Sequence, residues 1–370
     1  MDAQIIHVVG ARPNLMKAAP VFAALSRRQG IRQLLVHTGQ HYDSNMSDVF
    51  FRQLGLPQPD LNLEVGSGSH AVQTARIMMS FEKVVLDNRP DLVLVYGDVN
   101  STVACALVCA KLQIPVGHVE AGLRSFDHSM PEEINRVLTD QIANLLFTPS
   151  ADGDENLRRE GIATKSIYRV GNVMIDTLVR LSATAQELWR DRWSREIPDR
   201  YTLVTLHRPS NVDASRTLLT IVGALDEISC HLPVFFPIHP RTRQRLNGSY
   251  SNGQTSPALA LNLNLHLLEP LGYLDFLALQ QHATLVITDS GGIQEETTFL
   301  GIPCLTMRDN TERPITVTMG TNTLIGQDIN RLKSEVTNVL AGKGKQGRVP
   351  PLWDGRSALR IADVIDGWRK

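Results

Sequence analysis

Two apolar runs in this sequence end on a carboxylate, and a third stretch places two acids just after a proline. YGDVNST (96–102) carries Asp98, HVEAGLRSF (118–126) carries Glu120, and MPEEINR (130–136) carries Glu132 and Glu133. Carboxylates gathered at neighbouring strand ends can move protons as general acids and bases. Burial beside one another would spread their pKa values, so that one holds a proton while another lacks it. Each also has a plainer reading. Asp98, taken alone, reads as a helix N-cap. Glu132 complements a helix N-terminus and is spaced to pair with Arg136 one turn on. Glu120 has no obvious capping task, which leaves a cleft role open for it.

Other strand ends carry cations and glycines. GARPNLMK (10–17) places Arg12 and Lys17 where Pro13 starts a helix, an arrangement that suits an anion; solvated side chains on an ordinary loop are the alternative. TLHRPSN (205–211) brings His207 and Arg208, and FPIHPRTR (236–243) brings His239, Arg241 and Arg243. Two such clusters facing one cleft would suit a polyanion. TDSGGIQEE (288–296) is the most specific local signal. Ser290, Gly291 and Gly292 let the backbone approach a phosphate at a helix N-terminus. Glu295 and Glu296 follow at a distance suited to ribose hydroxyls, or merely to the helix dipole. NTERP (310–314) offers Arg313 as a further phosphate partner, and Phe276 in GYLDFLAL could stack on a base or simply fill a core.

The elements that must position these groups follow an alternating pattern. IIHVVG (5–10), LLVHTG (34–39), LVLVYGD (92–98), PVGHVE (115–120) and LLFTPS (145–150) are short apolar runs separated by helix-like stretches such as 13–28 and 101–112. Continuous apolar strands between helices imply a parallel sheet covered on both faces. The pattern restarts after about residue 175, with strands expected in 201–207, 233–239, 265–271, 285–292 and 303–309. The reading is α/β, with domains over 1–175 and 176–355 and a last amphipathic helix from 356. Segment 182–200 should hold a helix and a connection; SYSNGQTS (249–256) and AGKGKQGRVPP (341–351) should be surface loops. Ligands of such sheets bind beyond the carboxyl ends of the strands, where the polar residues above are concentrated.

Composition narrows the function. The 370 residues are 42% hydrophobic and 20% charged, which excludes wholesale disorder. Lysine and arginine number 37 against 38 acids, so no global field favours nucleic acid or an anionic membrane. Cys105 and Cys109 sit a helical turn apart among apolar neighbours, and core packing suits them better than metal. The start MDAQIIHVVGARPN has no signal-peptide pattern, and no apolar stretch approaches the roughly 20 residues of a membrane span. A soluble, cytoplasmic protein is expected, without nucleic-acid or membrane partners.

GARPNLMK, HTGQHYD (37–43), YGDVNST, HVEAGLRS, PEEINR, DSGGIQEE and NTERP, in this order, resemble the non-hydrolysing UDP-N-acetylglucosamine 2-epimerase family through nearly the whole chain. The resemblance implies two Rossmann-like doubly wound domains facing a deep cleft, glycosyltransferase-B-like, with the C-terminal helix returning to the first domain. It also implies a homodimer, no cofactor and no metal, and a UDP-sugar substrate. The implied reaction inverts C2 of UDP-N-acetylglucosamine by elimination and re-addition of UDP through a 2-acetamidoglucal. Asp98, Glu120 and Glu132 would be acid/base residues and His207 a catalytic residue on the diphosphate side. Arg12 and Lys17 would line the phosphate and sugar side, with His239 among the substrate contacts. Ser290, Gly291 and Gly292 would hold the diphosphate, Glu296 the ribose, Phe276 the uracil, and Arg313 the leaving group. Two motifs depart from the family's usual GTRPE and HRREN: Ala11 and Asn14 in the first, Pro209 and Ser210 in the second. These departures bear on regulation by substrate, which in some members also involves the stretch matched by Gln40 and His41. They leave room for a relative acting on UDP-2,3-diacetamido-2,3-dideoxyglucuronate. A glycosyltransferase on the same fold, or a nucleotide-sugar-binding regulator, are the competing classes.

Overall fold

Thirteen strands among the described residues form two sheets, each parallel at every pairing. The structure is a computed structural model that describes residues 2–40, 50–248 and 262–369. The expected loop 249–256 and residues 41–43 of the HTGQHYD stretch lie outside them. Two compact units result: Met1–Val179 with Pro351–Lys370, and Arg180–Pro350.

In the first unit the strands are β1 (Ala3–Val9), β2 (Ile31–His37), β3 (Leu61–Asn62), β4 (Leu92–Tyr96), β5 (Val116–Val119), β6 (Leu145–Thr148) and β7 (Ile167–Arg169). Their order across the sheet is β3-β2-β1-β4-β5-β6-β7. The second unit holds β8 (Thr202–Thr205), β9 (Val234–Pro237), β10 (Leu265–Leu268), β11 (Leu285–Thr288), β12 (Cys304–Thr306) and β13 (Asn322–Leu324), in the order β10-β9-β8-β11-β12-β13. Both are doubly wound, and the strand order reverses at β1/β4 and at β8/β11. Those reversals open a crevice at the carboxyl ends of these strands, because the flanking connections leave to opposite faces.

The apolar runs become strands because both faces are covered. Val8, Val93 and Val95 pack with Phe81, Cys105 and Cys109 in one core. Val204, Phe236, Leu285 and Ile287 pack with Leu225 and Leu332 in the other. The two helical cysteines therefore serve as small core residues, and burial raises both thiols above their ordinary pKa.

Segment 182–200 continues the helix Val173–Leu188 into a wider turn over Trp189–Trp193 before β8. The returning chain is tied into the first unit. Trp353 Nε1 donates to the Pro149 carbonyl (2.9 Å), and Asp176 accepts from the Ser357 and Ala358 amides (3.0 and 2.7 Å) at the start of the helix Ser357–Trp368. That helix packs on the helix Arg12–Leu25, where Arg28 pairs with Asp363 at 2.5 Å.

Candidate active site

The loop after β1 is shaped by Asn14. Its Oδ1 accepts from the Gly10 and Ala11 amides (3.1 and 3.0 Å), satisfying donors at a helix start. Its Nδ2 donates to the Tyr96 carbonyl at 2.7 Å, which ties the end of β1 to the end of β4 across the reversal. One turn on, Lys17 is buried and its ammonium meets Glu120 Oε2. Of the two cations in GARPNLMK, Lys17 is thus an inward partner of a carboxylate. Arg12 stands exposed, its guanidinium 4.2 Å from the Phe50 ring centre.

Glu120 follows β5 with a backbone φ of 76°, a left-handed conformation uncommon for a residue with a side chain. Gly97, after β4, has a φ of +63°, and a Cβ there would lie 2.7 Å from Lys17 Nζ and 3.2 Å from Glu120 Oε2. The glycine before Asp98 therefore makes room for the ion pair as well as the turn.

Asp98 is half-buried, and its carboxylate meets Arg136 Nη1. Asn135 Nδ2 donates to the Asp98 carbonyl at 2.8 Å. Arg136 also holds Glu133 at 2.6 Å, so the local pairing foreseen for Glu132 falls to its neighbour Glu133 instead. The reason is orientation: Glu133 is on the buried side of the helix Pro131–Ile142 and Glu132 on the exposed side. Burial works to raise the Glu133 pKa, but hydrogen bonds from Ser125 and the Arg136 charge outweigh it, and the carboxyl sits below its ordinary range. Gln40 accepts from the Ser101 amide and hydroxyl (3.2 and 2.7 Å), and His41 lies outside the described residues.

In the second unit the organising residue is Asp289, which sequence reasoning passed over in favour of the glycines after it. Fully buried at the end of β11, it accepts from the His207 and Arg208 amides (3.1 and 2.9 Å) and from Asn211 Nδ2 (2.9 Å). His207 Nδ1 lies 3.0 Å from Asp289 Oδ1 while the rest of its side chain is largely exposed. Nε2, across the ring, is thereby turned away from Asp289. Burial pushes Asp289 up, but the His207 bond and charge, with Asn211 and the Arg208 amide, hold it below the usual carboxylate range. Arg208 Nε donates to the Asp289 carbonyl at 3.2 Å.

Ser290 is the N-cap of the helix Gly291–Leu300, whose first two residues are Gly291 and Gly292. The anion site expected from the sequence would fall at the amides of that first turn. Arg313 lies against it: a Cβ on Gly291 would collide with Arg313 Nη1 and lie 2.7 Å from Glu312 Oε1. Arg313 is held by Glu312 and by Glu295 (2.8 Å), and Glu312 in turn by Arg308 (2.7 Å). Glu296 is buried and accepts from the Tyr273 hydroxyl at 3.0 Å. Phe276 is half-buried on the helix Tyr273–His282. His239 is exposed after β9, whereas Arg243 donates to the Leu268 carbonyl (3.0 Å) and pairs with Glu269 (3.0 Å), a structural tie to β10. The Arg241 side chain lies outside the described residues.

Comparison with known proteins decides the family. Residues 23–366 match the sequence model described as UDP-N-acetylglucosamine 2-epimerase. The chain belongs to the UDP-N-acetylglucosamine 2-epimerase family. It is 43% identical over 363 residues to the UDP-N-acetylglucosamine 2-epimerase of Methanocaldococcus jannaschii, covering 97% of each chain. It is 42% identical over 365 residues to the UDP-2,3-diacetamido-2,3-dideoxy-D-glucuronate 2-epimerase of Pseudomonas aeruginosa, covering 98% of this chain and 99% of that one. Its fold matches the crystal structure of the Methanocaldococcus jannaschii enzyme in complex with UDP-GlcNAc and UDP, with a TM-score of 0.87 at 42% identity, over 98% of this chain and 99% of that chain. Acinetobacter baumannii MurG, 14% identical with a TM-score of 0.55, shares the fold alone. The expected epimerase family and doubly wound α/β architecture are thus correct. No helix among the described residues is long and apolar enough to cross a membrane.

Proposed function

We propose that this epimerase-family chain interconverts UDP-N-acetylglucosamine and UDP-N-acetylmannosamine by inversion at C2. The observation that carries the reading is the Gly97 turn, which packs against the buried Lys17–Glu120 pair and presents Asp98 on the next residue. An acid and a base held at adjacent strand ends suit removal of a proton from one face of C2 and its return to the other. Asp98, Glu120 and Glu132 share that work. His207, oriented by Asp289, serves the leaving diphosphate through Nε2.

The nucleotide belongs to the second unit. Ser290, Gly291 and Gly292 take the diphosphate on the helix N-terminus, with Arg313 as a counter-charge. Glu296 takes the ribose and Phe276 the uracil face; Arg12 and His239 contribute polar contacts, while Lys17 acts through Glu120. Elimination of UDP gives 2-acetamidoglucal, and re-addition with a proton on the opposite face completes the inversion. Donors fixed before the reaction stabilise the departing charge without reorganising.

Incubation with UDP-N-acetylglucosamine in deuterium oxide tests this. Deuterium at C2 and the manno epimer are expected; neither product from a folded preparation would remove the proposal. The 42% identity to the diacetamido-glucuronate epimerase supports a second substrate reading, which the same assay on that UDP-sugar decides. Acceptor-dependent sugar transfer would favour a transferase instead.

The enzyme works in the cytoplasm as a homodimer. Supporting the dimer, Val72, Met79 and Leu86 recur every seventh residue along the exposed side of the helix His70–Asn88, and Ile134 and Leu138 are exposed on the helix Pro131–Ile142. Sedimentation at a single-chain mass would overturn it.

A further inference from the structure

We infer that Asp140, acting through His118, is a positioning residue that sets Glu120 and Asp98 relative to one another. This rests on the epimerase reading of those two carboxylates. Asp140 is fully buried on the helix Pro131–Ile142. Its Oδ1 lies 2.6 Å from His118 Nδ1, and its Oδ2 accepts from the Gly122 amide at 3.0 Å and meets Arg124 Nη1 at 2.7 Å. One carboxylate thus grips the chain on both sides of Glu120. The far side of the same imidazole extends the grip: His118 Nε2 donates to the Gly97 carbonyl at 2.8 Å, one residue before Asp98.

The grip falls where the backbone most needs it. Gly97, Glu120 and Gly122 have φ values of 63°, 76° and 81°, all in the left-handed region. A residue such as Glu120 persists there only when its surroundings over-determine it. Asp140 supplies the fixing from a separate element, and that helix also brings Asn135 and Arg136 to Asp98. Arg124 is anchored at its outer end by Glu160 at 2.7 and 2.6 Å, so the carboxylate cannot drift from His118 without breaking several charged contacts. Asp140 is held in its ionised form: burial raises its pKa, but His118 and Arg124 more than reverse this.

A buried pair that merely stabilises the sheet would, when altered, lower stability and leave turnover per folded molecule intact. A positioning pair would lower kcat with KM nearly unchanged, because the ligand still binds while the carboxylates are misplaced. The experiment measures C2 deuterium incorporation and steady-state kinetics for the wild type, Asp140→Asn, His118→Gln and the double variant. Asp154→Asn, which alters another buried carboxylate of the same unit, is the stability control. A roughly 100-fold loss in kcat is expected for Asp140→Asn and His118→Gln, as for displacement of a reacting group by about 1 Å. KM should stay within about threefold, and the double variant should be no slower than the slower single one. Asp154→Asn should lose thermal stability while keeping kcat. Should Asp140→Asn fail to fold, His118→Gln decides alone. Near-wild-type kcat in the folded variants, or equal losses in the Asp154→Asn control, would overturn the inference. A wild type that epimerises nothing would instead sink the reading on which it rests.

Discussion

Lys17 and Glu120 form a buried ion pair packed against Gly97, joining the first helix to the end of β5. Withdrawing two charges from water is costly, and their attraction offsets this only while both are present. The pair fixes a carboxylate at the end of β5, one strand from the β1/β4 reversal.

Lys17→Met should therefore destabilise the fold by about 3–5 kcal/mol, because the buried Glu120 carboxylate loses the ammonium it pairs with. Denaturant unfolding of wild type and variant at neutral pH checks the value.

Gly97→Ala should cost about 1–3 kcal/mol for the strained backbone, and about 100-fold in kcat because the methyl displaces Lys17 and Glu120. Gly161→Ala is the comparison. Gly161 has a φ of 84° but nothing within 4 Å of the added carbon. It should show the backbone cost and normal turnover. Parallel melting curves and kinetics on the two variants separate strain from collision.

Much of this was legible in the sequence because a parallel strand buried on both faces must be apolar throughout. The runs 92–98, 115–120 and 285–292 could hardly be anything else. β3, β7 and β13 were missed, since two or three residues carry no periodicity. Asp98, Glu120 and Ser290 stood out by ending apolar runs. Asp140 did not, because the helix Pro131–Ile142 buries Glu133, Asn135, Arg136, Thr139 and Asp140 while exposing Ile134 and Leu138. A pattern read for apolar burial assigns that helix the wrong inner face. Asp289 was hidden by the glycines beside it, whose phosphate-binding role is the stronger local signal.

Asp289→Asn should lower kcat roughly 100-fold, as for loss of an acid/base group's orientation. The amide can no longer serve as a charged acceptor for both the His207 ring and the amides of the β8 loop. UDP affinity, measured by calorimetry, should change only a few-fold, since Ser290–Gly292 and Arg313 remain. A large loss of UDP binding would assign Asp289 to the nucleotide cradle itself.

Stability should fall as pH drops from 7 to 5. His7 is fully buried, with Nδ1 2.6 Å from the Tyr96 hydroxyl, and burial lowers its pKa to about 3. The unfolded chain takes up this proton as pH falls through about 6.5, whereas the folded chain does not until near 3. Its contribution is therefore complete above 6.5 and lost progressively below. Asp140, Asp289 and Glu133, all shifted down, lose theirs only below their ordinary pKa near 4. His37 and His282 are also lowered by burial and slope the same way, equally in wild type and variant. His7→Leu should flatten the slope between pH 7 and 5 by up to one proton, even though it lowers stability overall.

Asp176 links the helix Val173–Leu188 to the chain's last element, and its removal should free that element first. Two amides at the start of the helix Ser357–Trp368 depend on its carboxylate, and both are buried. Asp176→Ala leaves them without an acceptor, at a cost of about 1 kcal/mol for a lost cap. Asp176→Asn retains one acceptor oxygen and should cost less. Two polar ties farther along the helix, Arg28 to Asp363 and Arg369 to the Gly30 carbonyl, are partly exposed and contribute less. Hydrogen exchange over 357–369 should therefore accelerate in the alanine variant before β1 or β4 is affected, because the sheet does not depend on this cap. Equal acceleration across the first unit would instead show that the returning helix is part of the cooperative core.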